Sequence, residues 1–102
     1  MEPQTQPLMP EQQIQVNADQ KMMVGSYANM MRVMHTKEEF VLEFANVHPP
    51  VGELVAKVIT TPGHMKRILA ALDENVKKYE SKFGKIAEAS APTGNGEIGF
   101  KG

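Results

Sequence analysis

One stretch constrains this chain more than any other. Between Thr61-Pro62 and Gly84, the residues Met65, Leu69, Leu72, Val76, Tyr79 and Phe83 recur at spacings of four, three, four, three and four, with Ile68 widening the stripe. A period of about 3.6 residues gathers all of them on one side of an α-helix. The ends are marked as well. Threonine caps free amides, proline at the first helical position sacrifices no hydrogen bond, and glycine takes the left-handed conformation that stops a helix, with Lys82 suiting the negative end of its dipole. The spacing predicts a helix over Pro62 to Phe83, about 33 Å long at 1.5 Å per residue.

Upstream the period is two. Ser26 to His35 reads as a strand with Tyr27, Asn29, Met31 and Val33 on one face and Ala28, Met30, Arg32 and Met34 on the other. Thr36-Lys37-Glu38-Glu39 has hairpin-loop length, and Phe40 to Phe44 follows with Phe40, Leu42 and Phe44 on one side. His48-Pro49-Pro50-Val51-Gly52 is expected to interrupt pairing, because proline has no amide to donate, and Leu54 to Thr60 reads as a third strand. The expected fold class is α+β, a three-stranded antiparallel meander followed by one long C-terminal helix packed on the sheet. A single helix covers one sheet face. The other is expected to expose some of Met30, Met34, Val41 and Ala45, and a core of under about 70 residues rarely supplies more than 3–5 kcal/mol. Self-association answers both difficulties, so a homodimer is expected, with Met30, Met34 and Val41 as candidate self-association residues.

Domain organisation follows from length. At 102 residues the chain holds at most one ordinary domain, placed at residues 22–86. Residues 1–21, rich in Gln and Pro, and residues 87–102, small and Gly-rich, are expected to be disordered tails; Ile98 and Phe100 are the only candidate anchors of the second. The longest apolar-rich stretch, Met22 to Met34, is broken by Ser26, Asn29 and Arg32 and falls short of the roughly 20 apolar residues that span a bilayer. The first residues lack the basic start and apolar block of a secretory signal, which favours the cytoplasm. There is no cysteine, which excludes disulfides, zinc-thiolate sites and thiolate nucleophiles.

The blocks Tyr27-Ala28-Asn29, Glu39-Phe40-Val41-Leu42-Glu43-Phe44, Ile59-Thr60-Thr61-Pro62-Gly63-His64 and Lys78-Tyr79-Glu80-Ser81-Lys82-Phe83-Gly84 together resemble a small prokaryotic family, domain of unknown function 3467. The resemblance runs from about Tyr27 to Ile86. Where the family pattern carries an arginine just before the apolar residues of the third strand, this chain has Lys57, which lacks a bidentate fork. The resemblance implies a bacterial or archaeal origin and no particular activity.

Few residues invite chemistry. His35, His48 and His64 fall at a strand end, in the proline loop and in the first helical turn, and no pair has metal-ligand spacing. Glu38 and Glu39 are adjacent carboxylates in a hairpin loop, an environment that leaves them hydrated rather than poised for acid–base work. No Gly-rich phosphate loop or serine elbow is present, so no enzyme and no cofactor is expected. Gly63-His64-Met65-Lys66-Arg67 makes His64, Lys66 and Arg67 the candidate contacts for an anion or nucleic acid, because a helix N-terminus offers free amides and Lys66 and Arg67 add charge. Lys77, Lys78, Lys82 and Lys85 extend the basic character, interleaved with Asp73, Glu74 and Glu80. Residues 21–87 carry ten Lys/Arg against seven Asp/Glu, a mild excess beside the strongly basic balance of a committed nucleic-acid binder. Phe40, Phe44, Tyr79 and Phe83 fall on core-facing positions and leave only Tyr27 for base stacking. The expected function is a non-enzymatic homodimeric interaction module; the alternative is a nucleic-acid-binding protein using the basic helix face.

Overall fold

The computed structural model describes residues 13–93 and Gly99. Its elements run in the order α1 (Gln20–Val24), β1 (Met30–His35), β2 (Phe40–His48), β3 (Val51–Thr60) and α2 (Pro62–Phe83). The strands form one antiparallel sheet in the order β1-β2-β3, the expected meander, and the long helix follows it. No helix is long and apolar enough to cross a membrane among the described residues.

The strand boundaries depart from the sequence reading in three places. Strand β1 begins at Met30 rather than Ser26, because Asn29 substitutes its side chain for a further rung. Its Nδ2 donates to the Val47 carbonyl at 2.9 Å, its Oδ1 accepts from the Val47 amide at 2.9 Å, and its own amide donates to the Ala45 carbonyl. Tyr27 thus lies outside the strand and is 68% exposed. The second departure is that β2 and β3 stay paired out to His48↔Val51. Pro49 and Pro50, joined by a cis peptide, are the two turn residues, where no ladder donor is required, so they close the hairpin instead of interrupting it. Third, a short helix, α1, straddles the boundary drawn between residues 21 and 22, with Asp19 accepting from the Met22 amide at 2.9 Å. Beyond it, Ile14 and Val16 are exposed, while Leu8, Met9, Ile98 and Phe100 lie outside the described residues.

Helix α2 has the expected bounds. Thr61 accepts from the His64 amide at 3.1 Å, and Pro62 takes the first helical position. At the far end Gly84 adopts φ 97° and ψ 172°, outside the expected αL region and in a region essentially closed to every residue but glycine. Its amide donates to the Glu80 carbonyl, and Glu80 Oε2 accepts from the Ile86 amide at 2.9 Å.

Packing is where the sequence reading needs correction. The helix does not lie on its own sheet: none of its residues is buried, and it makes no more than marginal contact with any strand. The reason is the connection. Strand β3 ends at Thr60 and α2 begins at Pro62, so Thr61, extended at φ −82° and ψ 157°, is the whole link. Strand-to-helix connections that fold a helix back over its sheet usually need two to six residues. The radius of gyration is accordingly 18.9 Å, against about 13 Å for a compact chain near this length. Among the described residues, the buried apolar ones are Leu42, Ala45 and Val47, all on the central strand.

Candidate functional site

Strand pairing decides what each sheet face presents. Arg32 stands three residues before the end of β1 and Glu43 three after the start of β2, so the hairpin sets them opposite each other, and Lys57 completes the row on β3. Arg32 Nε donates to Glu43 Oε1 at 2.8 Å, Arg32 Nη2 donates to the same oxygen, and Lys57 Nζ lies 3.4 Å from Oε2. Glu43 itself is 5% exposed. An isolated buried carboxylate is costly, but here two cations hold it charged. The hydrogen bond from Arg32 comes first in drawing its pKa below the ordinary carboxylate value, opposed by desolvation and reinforced by Lys57.

A lowered folded-state pKa means that the unfolded chain binds the proton more readily, so the contribution is full above the ordinary value of about 4.3 and is lost as pH falls through the folded value. The melting temperature should fall as pH drops from neutral to about 3, and Glu43→Gln should flatten that fall. Melts across the range check this; a parent and variant with parallel profiles would remove Glu43 as the cause.

Apolar rows flank this charged row on the same face. Met34, Val41 and Ile59 stand on one side of it and Met30, Ala45 and Leu54 on the other, so the fold gathers the candidates Met30, Met34 and Val41 onto one surface. Met34 is 38% exposed and Ile59 56%. The opposite face is free of Lys, Arg, Asp and Glu over three rows: His35-Phe40-Thr60, Val33-Leu42-Val58 and Met31-Phe44-Ala56. Its flanks remain open, with Val33, Met31 and Val58 close to half exposed. At the Phe44 end, Lys21, Met22 and Ala28 join Phe44, Val55 and Ala56 around a shallow hollow of about 290 Å³.

The third surface is the helix stripe. Leu69, Leu72, Tyr79 and Phe83 are 50–66% exposed and Val76 45%, all large apolar side chains in one line. Tyr79 and Phe83 pack with their rings tilted at 47° and centroids 4.9 Å apart, and Lys82 Nζ sits 5.4 Å from the Phe83 centroid. On the wet side, Asp73 pairs with Lys77 at 2.9 Å and Glu74 with Lys78 at 3.4 Å, exposed pairs of small energetic weight. Asp73 raises the Lys77 pKa, chiefly through a side-chain hydrogen bond.

The remaining candidates are spread apart. His64, Lys66 and Arg67 share the first turns of α2, all exposed, and the His64 amide is already taken by Thr61. His35 packs against Phe40, its ring 5.4 Å away, while His48 sits in the other hairpin. Glu38 and Glu39 are exposed and donate their amides to Thr36 Oγ1. Among the described residues no three His, Asp or Glu come together as a metal site would require. The Arg32-Glu43-Lys57 row is the feature that the sequence reading missed, although equal steps on either side of the hairpin loop would have aligned it.

A sequence model of the family described as protein of unknown function (DUF3467) matches residues 1–88, reaching well before Tyr27. No curated protein and no solved structure matches the chain.

Proposed function

This chain belongs to the DUF3467 family, and from that premise we propose that it is a non-enzymatic homodimeric interaction module. One observation carries the reading: the apolar stripe of α2 is exposed from Leu69 to Phe83, while the flanks of both faces of a three-stranded sheet stand about half open. A contiguous exposed apolar surface of that extent marks an association site. A second copy meets the need because it brings the same helix and the same sheet, and an isologous contact between two copies closes on itself.

Sedimentation equilibrium at micromolar concentration should return twice the chain mass of 11.3 kDa. A single species at 11.3 kDa under those conditions would overturn the proposal.

A further inference from the structure

We propose that α2 of each protomer lies across the face of its partner's sheet opposite the Arg32-Glu43-Lys57 row, over Val33, Leu42 and Val58, in a reciprocal exchange of helices. This rests on the homodimer reading and specifies its interface. Three independent features lead to it.

First, the occupant is fixed by the link. Thr61 alone joins β3 to α2, so the helix is denied its own sheet, and the same short link in a second copy leaves that copy's sheet equally bare. Exchange of an identical element satisfies both at once. Second, the dimensions agree. Twenty-two helical residues span about 33 Å, and the ten-residue strand β3 also spans about 33 Å. Three strands spaced about 4.8 Å apart present a width that one helix of roughly 10 Å diameter covers.

Third, charge selects the face. A helix laid over the Arg32-Glu43-Lys57 row would strip water from Arg32 and Lys57, whose side chains are 38% and 52% exposed, with no carboxylate on the incoming stripe to compensate. The opposite face carries no such row over His35-Phe40-Thr60, Val33-Leu42-Val58 and Met31-Phe44-Ala56, with Glu53 standing beyond them opposite Asn46, so an apolar stripe seats over those three rows without burying an ion. The hollow beside Phe44 continues that face and offers room for a bulky side chain of the incoming helix.

The natural lack of cysteine makes the geometry testable by cross-linking. Two single-cysteine proteins, Leu72→Cys and Val33→Cys, carrying tags of different size, are mixed, allowed to exchange subunits and treated with a short bis-maleimide. The expected result is a mixed-tag adduct as the main product, with Leu72→Cys and Met34→Cys, on the charged face, giving at most a tenth as much. Strong linking to Met34→Cys would overturn the choice of face. Linking of Leu72→Cys chiefly to itself would show helix paired with helix and overturn the exchange. Sedimentation of the same untreated proteins separates the two failures: a dimer without the expected adduct defeats only the exchange, whereas a monomer defeats the homodimer as well.

Discussion

Leu72→Asp should leave the protein monomeric at concentrations where the parent is a dimer. Leu72 sits midway along the α2 stripe and is 61% exposed in the protomer, so the substitution removes little from the isolated subunit. In the dimer it would bury an unpaired carboxylate against aliphatic side chains, which costs several kcal/mol. At about 4 kcal/mol the dissociation constant rises roughly a thousandfold, since each 1.4 kcal/mol is a factor of ten. Ala70→Asp, on the wet side of the same helix, should change the constant by well under tenfold. Sedimentation of parent and both variants over a dilution series reads the difference. Equal effects from the two aspartates would mean that the stripe is not an interface.

Leu42→Ala should abolish a cooperative thermal transition altogether. Leu42 is 8% exposed at the centre of β2, opposite Val33 on one side and Val58 on the other. Removing such a side chain costs about 2–5 kcal/mol, as much as a core of this size supplies in total. Phe83 offers the contrast. At 66% exposed it is no internal anchor of the single subunit, so Phe83→Ala removes little from the isolated subunit and acts through the proposed interface instead. Calorimetry that finds Leu42→Ala melting within a few degrees of the parent would show that stability resides elsewhere.

What was legible in the sequence was what each residue type does to its own backbone. Thr61, Pro62 and Gly84 bound α2 because capping, a missing amide and positive φ are local properties. The stripe says that something must cover the helix, but spacing along one chain does not say whose surface does, and the link at Thr61 excludes the nearest one. Likewise Pro49 and Pro50 announce that ladder donors are lacking, which is equally true of an interruption and of a two-residue turn. Asn29 misled for a different reason: its side chain imitates a peptide group, so period-two alternation continued past the point where backbone pairing ended. The Arg32-Glu43-Lys57 row needed strand register, which is a property of two hairpins rather than of any segment. Helix α1 holds five residues, too few for periodicity to register, and only the Asp19 cap signals it.

The small protomer core bears on how such a protein is kept in a cell. With only Leu42, Ala45 and Val47 buried among the apolar side chains described, a newly made chain without a mate is close to the boundary between folded and unfolded. Quality-control proteases act on the unfolded fraction, so in the proposed homodimer turnover would be fast while copies are scarce and would slow once they pair. Steady-state abundance would then rise more steeply than synthesis. A modest change in transcription would become a large change in the amount of the proposed dimer, a threshold traceable to one residue between a strand and a helix.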